Sequence, residues 1–142
     1  MAKAAAAGGP RPVVPYLKIP EQGDPHLEGL QCRKCSAIFL GARATCSSCG
    51  ARGQLAPKRL ADTGTLYVYS IVHRSFPGIE TPYVSAIVDL DGGGTVKGNL
   101  VDIEPEPEKI KMGMPVQVVY RIAPRKDAEG NEYLTYYFQP RA

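Results

Sequence analysis

CRKCSAIFLGARATCSSCG, residues 32–50, holds all four cysteines of a 142-residue chain. Cys32, Cys35, Cys46 and Cys49 form two C-x2-C pairs with ten residues between them. Two tight knuckles at this spacing can each offer two thiolates to one tetrahedral ion. A shell closed by four thiolates leaves no open position for water or substrate, so the metal is expected to be structural. Zinc suits the ligand set, and the short intervening loop keeps a rubredoxin-like knuckle with iron as the other occupant. Ser36, Ser47, Ser48 and Gly50 are the small residues a chain needs where its amides turn towards sulfur. Some twenty residues cannot build an apolar core, whereas structural zinc contributes on the order of 10 kcal/mol of folding free energy. The loop IFLGARAT, residues 38–45, is expected to be exposed and to make contacts.

Upstream, Pro10, Pro12, Pro15, Pro20 and Pro25 remove amide donors and fix φ, which predicts an extended arm over residues 1–26. Residues 1–12 have the composition of a disordered tail. Val13, Val14, Tyr16, Leu17 and Ile19 are costly to leave in water, so this part is expected to lie on a surface, the chain's own or a partner's. Downstream, five β-like runs follow at residues 64–74, 83–90, 95–101, 116–122 and 132–140. Asp91-Gly92-Gly93-Gly94 marks a hairpin between the second and third, and a long link with Gly113 joins the third to the fourth. The first run, GTLYVYSIVHR, carries apolar groups at both phases of the alternation. Five strands in this order predict a mainly β chain: the arm, a rubredoxin-like zinc ribbon over 27–58, and a five-stranded OB barrel over 59–142. Gly98 and Gly113 are expected to mark the bends that closure needs.

The chain carries 17 Lys and Arg against 14 Asp and Glu, a formal charge of +3. That balance is weak for a dedicated nucleic-acid binder. No apolar run approaches the roughly 18 residues of a membrane span, and the opening MAKAAAAGGPRPVVP lacks the apolar region of a signal peptide, which predicts a cytoplasmic protein with no membrane partner. His26 and His73 stand far apart in sequence, and no G-x-S-x-G, Walker or H-E-x-x-H motif occurs. The acids Asp102, Glu104, Glu106 and Glu108 alternate with prolines as a solvated crossover. Basic residues gather around the ribbon and the first strand, and Arg43, Lys58, Arg59 and Arg74 are the candidates to face a coenzyme A phosphate.

The joined pattern of the ribbon, GTLYVYSIVHRSF, PYVSAIVDLDGGGTVKGNLVD, KMGMPVQVVY and YYFQP resembles the zinc-ribbon plus OB-fold acyl-CoA-associated family, domain of unknown function 35, over about residues 27–140. Ser36 stands where many relatives have Gly, Ser47 where many have Pro, and the Pro-rich arm replaces the helix often seen before the ribbon. The resemblance implies a small, non-catalytic accessory subunit in hetero-oligomeric complexes with thiolases, aldolases or acyltransferases acting on acyl-CoA. The partner then carries the nucleophile and the acid/base groups, and the acyl-CoA thioester is a ligand of the complex. The chain is particularly similar to small subunits of thiolases that cleave aryl-substituted acyl-CoA, such as benzoylsuccinyl-CoA thiolase. The alternative is a single-stranded nucleic-acid-binding module, because ribbons and OB barrels also serve there.

Overall fold

The computed structural model describes residues 9–141, so the expectations for residues 1–8 and 142 lie outside it. Ten strands and no helix occur among the described residues. They are β1 (Arg11–Pro12), β2 (Leu17–Lys18), β3 (His26–Cys32), β4 (Ile38–Phe39), β5 (Leu55–Arg59), β6 (Thr63–Val72), β7 (Tyr83–Leu90), β8 (Thr95–Leu100), β9 (Pro115–Ile122) and β10 (Tyr133–Pro140). The last five match the five β-like runs of the sequence to within a few residues.

These five close into a barrel. β6 pairs with β7, β7 with β8 and β9 with β10, all antiparallel. β8 meets β10 in parallel at Leu100 and Phe138, and β9 returns to β6 through Gln117 and Thr63. Closure in the order β6-β7-β8-β10-β9 is the OB arrangement. Strict alternation puts Val84, Ala86, Val88 and Leu90 of β7 inside, facing Val96 and Leu100 of β8, Val116 and Val118 of β9, and Tyr136 and Phe138 of β10. The hairpin predicted at Asp91–Gly94 is present, closed by the Leu90 amide donating to the Gly94 carbonyl at 2.8 Å.

β6 resolves its double alternation through a bulge. The register with β7 shifts between Leu66 and Val68, which turns Tyr67 outward to 60% exposure. Leu66 is buried before the bulge, and Tyr69 and Ile71 pack on the core after it. One extra residue thus moves the inward phase from even to odd positions and adds the local twist that a closing barrel needs.

Gly98 serves closure by leaving room. A Cβ there would lie 2.8 Å from Phe138 Cε2 and 2.9 Å from Tyr136 Cε2, so both rings cross the β8 backbone where no side chain stands. Gly98→Ala is expected to cost about 1–3 kcal/mol by overpacking, read as a lower denaturation midpoint at unchanged slope. Gly113 makes a turn directly before β9, at φ 90° and with open space where its Cβ would be.

The arm, from residue 11 onward, lies on the chain's own surface. β1 runs parallel to the start of β10, with the Arg11 and Val13 amides donating to the Glu132 and Leu134 carbonyls at 3.0 Å. β2 pairs with β3, which seats Leu17 in the core at 1% exposure. Tyr16 hydroxyl meets Tyr136 hydroxyl at 2.8 Å, and because Tyr136 donates to the Lys97 carbonyl, Tyr16 donates to Tyr136. Burial holds the Tyr136 hydroxyl well above the usual phenol range, so the relay stays protonated.

Ribbon and barrel share one apolar core. Leu17, Leu27 and Leu60 belong to the same buried cluster as the barrel residues, and Ile38 and Leu40 pack against it. This corrects the expectation of an exposed loop over residues 38–45. Ile38 and Phe39 form β4 on β3, and the Ile38 side chain lies against Gly93 of the barrel hairpin. Residues 41–45 are the exposed remainder.

Candidate functional site

β3 and β5 form the base of the ribbon, pairing from Glu28–Arg59 to Cys32–Leu55. Beyond that base the chain makes two knuckles of one design. The Ser36 amide donates to the Cys32 carbonyl at 2.9 Å, and the Gly50 amide donates to the Cys46 carbonyl at 2.8 Å. The Cys32 and Cys46 amides in turn donate to Ala37 and Ala51 carbonyls, each at 2.9 Å. The residue after each pair takes a left-handed conformation, φ 70° at Ser36 and φ 81° at Gly50. Glycine adopts that conformation without cost, whereas serine loses roughly 1 kcal/mol. Ser36→Gly is therefore expected to stabilise the ribbon by about 1 kcal/mol. Chelator titration should register this as slower metal loss.

The four sulfurs converge, with every Sγ within 4.8 Å of the others. Cys32 Sγ lies 3.8 Å from Cys49 Sγ, and Cys35 Sγ lies 3.5 Å from Cys46 Sγ. A tetrahedral ion with bonds near roughly 2.3 Å requires sulfur–sulfur edges of about 3.8 Å, so the donor set fits a metal ion. Amides supply the remaining stabilisation. Lys34 N–H points at Cys32 Sγ at 3.4 Å, while Ser48 and Cys49 N–H point at Cys46 Sγ at 3.3 and 3.4 Å. The Cys46 thiol is drawn down to about 6, first by the Cys49 amide and then, against desolvation, by the Ser48 amide. Cys32 is lowered in the same way, first by the Cys35 amide. The Ala51 amide favours the Cys49 thiolate, but desolvation and the neighbouring sulfurs outweigh it and push that thiol up to about 11. Cys32 and Cys46 are buried, Cys35 and Cys49 exposed.

The basic candidates do not form one site. Lys58 and Arg59 share an open hollow of about 370 Å³ with Asp62, Asp91 and Gly93. Arg43 lies on the ribbon, its guanidinium 4.4 Å from the Phe39 ring centroid and its Nη2 donating to the Leu40 carbonyl at 3.3 Å. Arg74 follows the far end of β6, separated from Arg59 by ten residues of strand, roughly 30 Å of extended chain. The aromatic residues are divided too: Tyr136 and Phe138 are core, and Tyr67 faces solvent.

No polar or charged side chain is fully buried among the described residues, and no catalytic set assembles there. His26 Nδ1 meets only the Asp24 carbonyl, at 3.4 Å, and His73 is exposed beyond β6. Sequence reading missed a groove at the other end of the barrel, where Arg121 and Arg125 stand beside Ile79, Tyr83, Ile122 and Tyr137. Its signal was the apolar Phe76 and Ile79 inside the Pro- and Gly-containing loop SFPGIETP.

A DUF35 domain-containing scaffold protein of Methanocaldococcus jannaschii is 31% identical over 116 residues, covering 80% of this chain and 81% of that protein. The chain belongs to the DUF35 family. The family model for the C-terminal OB-fold domain of ChsH2 matches residues 58–121, which run from the end of the ribbon into β9. A solved structure of an Ltp2-ChsH2(DUF35) aldolase is similar to this DUF35 protein at TM-score 0.62 and 31% identity, covering 81% of this chain and 84% of that one. The benzoylsuccinyl-CoA thiolase subunit BbsA of Geobacter metallireducens is 32% identical over 76 residues, 52% of this chain and 50% of BbsA. The zinc ribbon and closed barrel of this DUF35 chain thus stand beside relatives named for thiolase and aldolase assemblies. No helix among the described residues is long and apolar enough to cross a membrane.

Proposed function

We propose that the chain is a non-catalytic accessory subunit of a thiolase-type complex acting on acyl-CoA, in which the partner subunit makes or breaks the carbon–carbon bond. The observation that carries this reading is the match over most of the chain to the DUF35 fold of an Ltp2-ChsH2 aldolase. The chain's own chemistry supports it. All four thiols converge on one metal centre, the two histidines stand apart, and no buried carboxylate is present among the described residues. A thiolase-type reaction needs a free nucleophile with an acid/base partner, which the catalytic subunit then supplies.

Zinc in the four-thiolate centre holds the ribbon, and the ribbon's shared core with the barrel fixes the pose of both towards a partner. We assign residues 1–26 to the arm, 27–58 to the ribbon and 59–142 to the barrel. Lys58 and Arg59, close together at the hollow between ribbon base and barrel hairpin, are our candidates for a CoA phosphate. Arg43 and Arg74 lie apart from them. The likeness to BbsA supports an aryl-substituted acyl-CoA as substrate.

The test is the partner's turnover with and without this chain. An accessory role predicts that the isolated catalytic subunit loses most acyl-CoA turnover and regains it when the zinc-loaded chain is added back. Equal turnover in both states would contradict it.

A further inference from the structure

The four sulfurs of the metal centre differ in what they meet. Cys35 and Cys49, the second cysteine of each knuckle, are exposed, while Cys32 and Cys46 are buried. Each exposed sulfur lies against the buried sulfur of the opposite knuckle: Cys35 Sγ is 3.5 Å from Cys46 Sγ, and Cys49 Sγ is 3.8 Å from Cys32 Sγ. The chain has no other cysteine, so no thiol outside the centre competes as a partner. An accessible thiolate with a second thiolate beside it is the arrangement that peroxides convert to a disulfide, because the second sulfur captures the first oxidation product before it goes further.

Bond formation between the knuckles is coupled to the rest of the fold. Cys35 and Cys46 bracket the segment that carries Ile38 and Leu40, both packed on the common core. Ile38 lies so close over the barrel hairpin that a Cβ on Gly93 would stand 2.4 Å from its Cδ1. A disulfide holds its sulfurs about 2.05 Å apart, so Cys35 and Cys46 must approach by roughly 1.5 Å. That approach draws the knuckles together across the ends of the segment, and a close-packed contact such as Ile38 on Gly93 has little slack to absorb it.

We propose that the four-cysteine centre is a peroxide-responsive switch, in which hydrogen peroxide joins Cys35 to Cys46 and Cys49 to Cys32, the metal is released and the ribbon loosens from the barrel. The proposal rests on the metal assignment and stands apart from the accessory-subunit reading. In the first step the Cys35 thiolate attacks one oxygen of hydrogen peroxide. The O–O bond breaks, the sulfur becomes a sulfenic acid, and the hydroxide that leaves takes a proton to become water. The Cys46 thiolate then attacks the Cys35 sulfur, forming the S–S bond and expelling the sulfenic hydroxyl, which leaves as a second water with another proton. Cys49 and Cys32 repeat the sequence with a second peroxide. In sum, four thiolates, two hydrogen peroxides and four protons give two disulfides and four waters. The thiolate is the metal ligand, so a centre closed into disulfides no longer holds a divalent ion.

The experiment treats the zinc-loaded full chain with excess hydrogen peroxide, follows released zinc with a metallochromic dye, and maps disulfides by mass spectrometry after tryptic digestion. Cleavage after Lys18, Arg33, Lys34, Arg43 and Arg52 places Cys32, Cys35 and the Cys46–Cys49 pair on three separate peptides. The expected result is complete loss of zinc, with residues 35–43 linked through Cys46 and residues 19–33 linked through Cys49 to the peptide 44–52. Fragmentation between Ser47 and Ser48 assigns the two sulfurs of that peptide. Dithiothreitol with added zinc should restore metal binding, and hydrogen exchange in the oxidised chain should rise at residues 38–40 and 90–95. Zinc retained under peroxide that fully oxidises glutathione in the same sample would overturn the switch. So would disulfides within the knuckles, Cys32–Cys35 and Cys46–Cys49, or sulfinic and sulfonic acids at Cys35 and Cys49 without any disulfide. Crossed disulfides with unchanged exchange at residues 38–40 and 90–95 would overturn the coupling to the barrel.

Discussion

Cys46→Ser is expected to release the metal and unfold the ribbon beyond its β3–β5 base. Cys46 is fully buried and lies 3.5 Å from Cys35 Sγ. Its sulfur accepts hydrogen bonds from the Ser48 and Cys49 amides. A hydroxyl at position 46 is a poor ligand and leaves three thiolates around an incomplete shell. Structural zinc contributes on the order of 10 kcal/mol to small ribbons, so its loss removes nearly all that holds residues 32–50 together. The damage should also reach the barrel. Ile38 and Leu40 leave their places against the common core, and Leu27 and Leu60 lose the cover of the ribbon. Metal analysis should give less than stoichiometric zinc, and hydrogen exchange should show full loss of protection at residues 32–50 with weaker protection in β3 and β5. Retained stoichiometric zinc in this variant would contradict the metal assignment.

Phe138→Ala is expected to cost about 3–5 kcal/mol, a large fraction of the stability of a domain this size. Phe138 has no exposed surface and is the largest fully buried side chain. It stands at the closing seam, where β10 pairs with β9 on one side and with Leu100 of β8 on the other. Its ring packs edge-on to Tyr136 at 5.9 Å between centroids and covers Gly98. Truncation therefore opens a cavity at the one place where three strands and the hydrogen-bond relay to the arm meet. Guanidinium unfolding should show the loss as a collapsed midpoint. A loss below about 1 kcal/mol would mean that the seam is not where the barrel's stability is concentrated.

The strands were legible because burial at alternate positions leaves a period-two record, clear in Val84, Ala86, Val88 and Leu90. The metal centre was legible because four thiols at fixed spacing have few other uses in a chain without further cysteines. The bulge at Tyr67 was not, since a one-residue insertion in an apolar run looks like apolar groups on both faces. The shared core was hidden for another reason. Leu27 and Leu60 are single apolar residues in polar surroundings, and their partners lie across the ribbon–barrel junction rather than along the chain. Separation of Arg74 from Arg59 follows from β6 being extended between them, which clustering in sequence disguised. Arg125 was overlooked because its position depends on Gly78, forty-seven residues earlier.

The most direct measurement is capture of the tagged chain from its native host, with mass spectrometry of the recovered proteins and metal analysis of the same sample. The account predicts a thiolase-like subunit in a fixed ratio with this chain and one zinc per chain. Recovery of the chain with no thiolase-like protein, or with nucleic acid that salt removes, would contradict the accessory role and leave the family likeness as a likeness of fold.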